Sequence, residues 1–258
     1  MPRADRFISS RFARNASKTA VRSKVLMPLE ALSLSNGLQA DAVDLYYSGW
    51  VSFLDAFNGI RHGFYTWATV KLYYSVFYTF RCALAQAGLC AFYVDDSSYT
   101  VIAQPGESPV SSTDRGTHKT VLKAFQRRNT VPSLVSQQIA LEDAVDWLMH
   151  RRETANYGEP RFSEPECRGP LEYVASIGLR KAVNAYLAEP TFLYVFDPDH
   201  AILAYPLRAL GLIGTNLIPM TADRLSSEEQ RFLKDGAADG SGAFPSLLAE
   251  MKRVMLLK

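Results

Sequence analysis

The chain has 258 residues, of which 48% are hydrophobic and 21% are charged. This is the composition of a folded globular protein, and it excludes overall disorder. The formal net charge of +2 is too small to indicate nucleic-acid binding by itself.

The first 36 residues form a basic N-terminal arm, in which Asp5 is the single acid up to Lys24. The cations are Arg3, Arg6, Arg11, Arg14, Lys18, Arg22 and Lys24. This near absence of acids resembles a transit peptide in composition. A flexible arm that contacts an RNA or DNA backbone is a second interpretation, and a solvated, partly helical leader is a third.

The first half of the chain predicts long helices interrupted by a small hairpin. Apolar residues recur at helical spacing over 38–56 and again over 63–86. The second of these segments is apolar on nearly all sides, which is typical of a helix at the centre of a bundle. Short β-like runs at 91–94 and 99–102 predict a hairpin, and a third helix is expected over Thr117–Arg128.

The second half predicts further helices and one strand. The expected elements are a helix that begins near Pro132 and ends at Tyr157, a helix over 171–187, a strand over 191–196, a helix or strand over 201–216, and helices that begin at Ser226 and Pro245. Glu229 stands at capping-box spacing from Ser226.

These elements predict a mainly α fold: a helical bundle with a small β-hairpin insertion and a mixed α/β C-terminal extension. We expect three segments, the arm at 1–36, the bundle at 37–188 and the extension at 189–258. The stretch 192–213 is apolar with few charges, so the extension should pack on the bundle or on a partner.

Cysteines and polar clusters exclude several other classes of protein. The three cysteines offer neither an even number for disulfides nor a pair at metal-ligand spacing, and they indicate a reducing cytoplasm. No window contains 18 consecutive apolar residues, so no membrane association is expected. Asp197, Asp199 and His200 share a predicted turn, but this is a weak metal signal, and we expect neither a metal nor a cofactor.

The segment 148–158 carries the most specific pattern in the chain. It ends a predicted helix and presents Arg152 and Tyr157 just before Gly158. On an ideal helix these two residues are about 140° apart, so they share a pocket only if the helix frays near its end. A guanidinium held there suits a phosphate, because its planar fork donates two hydrogen bonds to an oxyanion. An arginine–carboxylate pair beside a half-buried tyrosine is the structural alternative.

Three segments in order resemble the HEPN superfamily (higher eukaryotes and prokaryotes nucleotide-binding). They are the helix 68–78 with its Tyr73-Tyr74 core, the segment 117–125, and the segment 152–158, which is similar to the Arg-x-x-Ala-Asp-Tyr-Gly ending of one branch. The resemblance covers about residues 40–185. It implies an up-and-down bundle of four or five helices, often paired as a homodimer. In active members, an Arg-x(4–6)-His motif forms a metal-independent endoribonuclease site.

The chain departs from this motif where the catalytic histidine would stand. Tyr157 occupies that position, and Asn156 replaces an aspartate. Histidine transfers protons near neutral pH because its pKa is about 6.5, whereas a tyrosine with a pKa of about 10 is a poor base there. Tyrosine still donates a hydrogen bond to phosphate or stacks on a base. His118 is the candidate to assist, since His150 precedes Arg152 by two residues and faces another way.

Three functions are open at this point. The first is a binding module of a prokaryotic toxin–antitoxin or anti-phage defence system, which docks RNA, a nucleotide or a partner protein through Arg151, Arg152, Asn156 and Tyr157. The second is an endoribonuclease with a non-standard Arg-x4-Tyr site, in which Arg152 and Tyr157 act with His118. The third is a non-catalytic scaffold subunit of a larger complex. The defence setting is implied by the resemblance alone.

Overall fold

A computed structural model describes residues 2–12, 16–114, 116–158, 160–215, 224–239 and 241–255. Over these ranges the chain is mainly helical, as predicted, with small antiparallel sheets. It divides into two compact units. Unit 1 contains residues 1–45 and 80–130, and unit 2 contains residues 46–79 and 131–258.

Two long helices contribute to both units. Helix α3 (Pro28–Arg61) and helix α4 (Tyr65–Gln86) each pass from one unit to the other. The units therefore cut across the three segments expected from the sequence.

The N-terminal arm is folded within unit 1. It forms helices α1 (Arg3–Arg11) and α2 (Lys18–Arg22). The buried carboxylate of Asp41 accepts hydrogen bonds from the backbone N–H groups of Arg3 and Ala4, each at 2.8 Å, and so satisfies the first turn of α1. The helical part of the third interpretation of the arm is thus confirmed for the described residues.

Two arginines of the arm are paired with acids. Arg3 Nη1 lies 3.2 Å from an Asp44 carboxylate oxygen. The Arg11 guanidinium contacts both Glu30 carboxylate oxygens, at 2.9 and 3.1 Å. These pairs neutralise part of the charge that the sequence concentrates in the arm.

Unit 1 also contains the predicted hairpin and the third predicted helix. The sheet consists of β1 (Leu89–Val94), β2 (Ser97–Ile102) and the short additional strand β3 (Val110–Ser111), all antiparallel. Helix α5 (Thr117–Arg128) has the predicted bounds. It packs on β1, where the hydroxyls of Tyr93 and Thr120 lie 2.9 Å apart.

The rest of unit 2 is built from shorter helices and two-residue strands. The helices are α6 (Ala144–Tyr157), α7 (Glu172–Ile177), α8 (Leu179–Ala188), α9 (Ala201–Thr215), α10 (Ser227–Gly236) and α11 (Pro245–Met255). The strands are β4 (Gln138–Ile139), β5 (Glu142–Asp143), β6 (Ala238–Asp239) and β7 (Gly242–Ala243). The predicted capping box of Ser226 and Glu229 opens α10.

Helix α9 lies in the core of unit 2. Tyr46 of α3 donates its hydroxyl to the Leu210 carbonyl at 2.7 Å, and both residues are fully buried. A Cβ atom at Gly214 would lie 1.8 Å from the Tyr46 hydroxyl, so only glycine fits there. The ambiguous stretch 201–216 is therefore a helix through Thr215, and its last residue lies outside the described part.

Two predicted helices in unit 2 were wrong in extent. The fourth begins at Ala144 and not near Pro132, because the chain first makes a single 3-10 turn and then the β4–β5 hairpin. Ala140 and Leu141 close that hairpin with left-handed φ angles of 49° and 68°. The fifth is divided into α7 and α8 at Gly178, whose φ of 89° is incompatible with a continuous helix.

The predicted strand at 191–196 was also wrong, because this run forms turns. Phe192 has a left-handed φ of 69°, which no strand accommodates. The Glu189 carboxylate accepts hydrogen bonds from the backbone N–H groups of Thr191 and Leu193, so it takes the place of a partner strand.

Candidate functional site

Helix α6 positions most of the predicted site within unit 2. Val145, Leu148 and Met149 form its buried stripe. Arg152 stands one turn beyond Leu148, and Asn156 one turn beyond Arg152, and both are half-buried. Arg152 and Asn156 therefore extend the core-facing side of the helix toward its end.

The end of α6 keeps Arg152 and Tyr157 on different faces. The helix is regular through Tyr157, and the Gly158 N–H donates to the Thr154 carbonyl at 2.8 Å with right-handed angles at Gly158. The fraying that a shared pocket requires does not occur, and Arg152 and Tyr157 stand about 140° apart around the helix axis. Tyr157 is 77% exposed. The backbone does not support an Arg-x4-Tyr catalytic pair.

The Arg152 guanidinium lies over an aromatic ring. Its carbon is 5.7 Å from the Tyr73 ring centroid, a cation–π distance. Its Nε atom is buried without a hydrogen-bond partner. Among the described residues, none forms an ion pair with Arg152. The arginine–carboxylate pair that the sequence allows as an alternative is thus not formed by the described residues.

Tyr73 responds electrostatically to this cation. Burial raises the pKa of the Tyr73 hydroxyl above its ordinary value, and the nearby Arg152 charge opposes that rise to a smaller extent. Tyr73 is therefore neutral at physiological pH and presents its ring face to the guanidinium.

Arg151 has a similar aromatic neighbour. Its guanidinium carbon lies 5.4 Å from the ring centroid of the buried Trp147, one turn earlier on α6. The Arg151 Nε atom is also buried without a hydrogen-bond partner. Two consecutive guanidinium groups thus rest on aromatic rings, and no described residue accepts a hydrogen bond from their outer N–H groups, which leaves these groups for another ligand.

Tyr157 shares its face of α6 with His150, seven residues earlier. His150 is exposed, and its Nδ1 atom lies 2.6 Å from a Glu142 carboxylate oxygen. His150 faces away from Arg152, as the sequence predicts. His118 belongs to unit 1, where it is half-buried in the first turn of α5. Arg152 and Tyr157 belong to unit 2.

Tyr73 is the site residue that sequence reasoning missed. It belongs to the Tyr73-Tyr74 core that carries the family resemblance, but nothing in the sequence relates it to Arg152. The two residues are 79 positions apart, so no local spacing relates them, and only the tertiary fold of unit 2 brings them together.

The Asp197–His200 turn contains no metal cluster. Groups of three His, Cys, Asp or Glu that could hold a metal are absent from the described ranges. His200 instead accepts or donates a hydrogen bond at Nδ1, 2.8 Å from the Tyr186 hydroxyl. Asp197 accepts the Asp199 backbone N–H at 2.9 Å, which closes the turn.

Comparison of the chain with models of protein families, with curated proteins and with solved structures gave no match. The HEPN resemblance therefore stays a prediction. As for membranes, each helix within the described ranges is too short or too polar to cross a bilayer.

Proposed function

We propose that this protein binds the phosphate groups of RNA or a nucleotide, with Arg152 as the central ligand. One observation carries the proposal: a half-buried guanidinium that no acid of the described chain neutralises. A charge taken partly out of water without an opposite charge is costly, so proteins rarely keep one unless a ligand supplies that charge. Phosphate matches the two-donor fork of arginine.

The neighbouring residues fit this role. Tyr73 supports the guanidinium from one side and limits its orientations. Asn156, one helical turn further on, offers a side-chain amide that donates to a phosphate oxygen. Arg151 adds a second positive charge beside the first, which increases the attraction for a polyanion.

Binding without turnover is the function we favour among the three. Proton transfer requires a base and an acid beside the phosphate, and α6 turns Tyr157 away from Arg152. The HEPN resemblance extends the proposal to a component of a prokaryotic defence or toxin–antitoxin system. That extension depends on the family resemblance and not on the geometry.

The first experiment measures RNA affinity by fluorescence anisotropy over a series of salt concentrations. Arg152→Ala should weaken binding of a single-stranded RNA by about tenfold or more and reduce the salt slope by about one. The matched control is Arg168→Ala, which removes an exposed arginine of the same unit that pairs with Glu166. The control should retain wild-type affinity within about twofold.

A parallel series with mononucleotides and inorganic phosphate tells whether one phosphate suffices. The proposal is contradicted if the wild-type protein binds none of these ligands, or if Arg152→Ala and Arg168→Ala behave alike.

The second experiment incubates the protein with labelled RNA in EDTA. We expect the RNA to remain intact. Cleavage that yields 2′,3′-cyclic phosphate ends and disappears in Arg152→Ala would replace the binding module with the endoribonuclease.

A further inference from the structure

Three aromatic side chains at the start of α4 remain exposed in unit 2. Phe64 immediately precedes the helix, Trp67 lies in its first turn, and Phe162 follows α6 along the chain. Trp67 and Phe162 are 46% and 43% exposed, and Phe64 more so. The Trp67 and Phe162 rings are nearly perpendicular, at 85°, with centroids 5.9 Å apart. We call these three residues the aromatic notch.

The aromatic notch is held in place by hydrogen bonds beneath it. Glu164 accepts the Thr66 backbone N–H at 2.6 Å through one carboxylate oxygen and the Thr66 hydroxyl at 2.9 Å through the other. A carboxylate at the first turn of a helix is favoured by the free N–H groups there. This contact fixes the segment that carries Phe162 against the helix that carries Trp67.

The backbone of Phe64 is fixed as well. Its N–H donates to the Gly59 carbonyl at 2.9 Å, and its carbonyl accepts the Ala68 N–H at 3.0 Å. The backbone that carries the exposed rings is therefore held by hydrogen bonds, and a ligand that stacks on the rings does not have to order that backbone.

The charged residues next to the notch are three cations (Arg61, Lys71 and Arg161) and two carboxylates (Asp55 and Glu164). Arg161 directly precedes Phe162, and the described residues form no ion pair or hydrogen bond with its side chain. Arg61 donates to the neutral oxygens of Asn58 and Ala238, so its charge is not cancelled. Lys71 is paired with Asp55 at 2.7 Å.

We propose that the aromatic notch is a base-stacking site for single-stranded RNA. This inference rests on the proposed RNA binding and names the form of RNA that it takes. Every nucleobase has a π face, so aromatic rings beside cations bind single strands with little sequence preference. In a duplex the base faces are covered by their neighbours, so the notch discriminates against double-stranded RNA.

A protein partner fits the notch less well. A stable protein interface buries about 800 Å² on each partner, which three rings do not provide. Exposed rings beside the unpaired charges of Arg61 and Arg161 match a polyanion whose units alternate a phosphate with an aromatic base.

Trp67 supplies a direct spectroscopic test. Of the three tryptophans, Trp50 and Trp147 are buried and Trp67 is exposed. A single-stranded oligonucleotide should therefore quench the fluorescence of the full-length protein through Trp67. In Trp67→Phe the quenching should disappear, while the affinity stays within about threefold because phenylalanine also stacks.

The affinity arm of the test uses Trp67→Ala. It should weaken single-stranded RNA binding by about tenfold and leave the salt slope unchanged, since no phosphate contact is removed. The wild-type protein should bind a duplex of the same length less tightly than the single strand. The matched control is Phe232→Ala, an exposed aromatic residue of α10 in the same unit, which should bind as the wild type does.

The outcomes separate the two proposals. If the wild type binds no RNA, the proposed function fails and this inference fails with it. If RNA binding depends on Arg152 but Trp67→Ala and Phe232→Ala both bind as the wild type does, the stacking site is overturned while the phosphate site remains. Sedimentation that shows a dimer in the wild type and a monomer in Trp67→Ala would assign the notch to a second copy of the chain and also overturn the inference.

Discussion

The N-terminal arm and the end of α6 are both rich in arginine, but two arginines of the arm and two of α6 have opposite surroundings. In the arm, Arg3 and Arg11 contact carboxylates. In α6, Arg151 and Arg152 rest on aromatic rings. The arm has the larger number of cations in the sequence, but its paired charges are less available to a phosphate. Whether a cation is neutralised by the fold matters more for anion binding than how many cations a segment contains.

The largest effect that we expect in this comparison is at Asp41, which anchors the arm. Asp41→Ala should lower the free energy of unfolding by about 3 kcal/mol, because it leaves two backbone N–H groups of α1 without their charged acceptor. Chemical denaturation measures the loss. The matched control is Asp44→Ala, whose exposed pair with Arg3 should contribute less than about 0.5 kcal/mol. Equal losses in the two variants would show that the arm is not anchored through Asp41.

The next largest effect comes from replacing one arginine of each region by methionine and comparing the changes in stability. Arg11→Met should destabilise the protein by about 1 kcal/mol, because it leaves the Glu30 carboxylate without its cation. Arg152→Met should leave stability unchanged or raise it by up to about 1 kcal/mol, because it removes a half-buried charge without an acid. Thermal and urea unfolding of both variants show whether each substitution raises or lowers the free energy of unfolding. A clear destabilisation by Arg152→Met would mean that the guanidinium is structural.

The smallest effect concerns the ionisation of Tyr73. Its folded-state pKa is raised by burial, so the folded protein retains this proton after the unfolded chain begins to release it above pH of about 10. The stability contributed by neutral Tyr73 is therefore complete below that pH and is lost as the pH rises further. Arg152→Met removes a charge that lowers this pKa, so the pKa should rise further in the variant.

Carbon-13 NMR of labelled tyrosine rings over the alkaline range measures this shift, and Tyr73→Phe identifies the resonance. A Tyr73 titration that is identical in the wild type and in Arg152→Met would show that the guanidinium does not lie over this ring in solution.

The sequence predicts the helices whose ends have local signals. Helix α5 has its predicted bounds because Gly116 with φ of 85° precedes it and Asn129 with a left-handed φ of 49° follows it. The run 191–196 has the side chains of a strand but does not form one. Strand propensity describes side chains that suit a sheet, whereas a strand also needs a partner strand. The Glu189 carboxylate accepts hydrogen bonds from the backbone of this run instead, and no pattern in the sequence indicates that contact.

The sequence predicted Arg152 as a candidate site residue, but it did not predict that Tyr73 contacts it. Helical spacing relates Arg152 to Asn156, which is four residues away, and the regular helix bears this out. The pairing of Arg152 with Tyr157 required a frayed end, and a glycine permits such an end without enforcing it. The sequence predicts that the helix over 63–86 lies at the centre of a bundle, but Trp67 in its first turn is exposed. Burial at a helix end depends on which segment covers it, and helical periodicity carries no information about that.

The way α3 and α4 pass through both units has a consequence for how this protein can be divided. Neither unit is a continuous piece of the chain, because each is assembled from two stretches that alternate along it. Cutting the polypeptide once at any position leaves at least one unit incomplete. We therefore expect that no single genetic crossover could transfer one unit alone to another gene, because any fragment that contains the whole of one unit also carries part of the other.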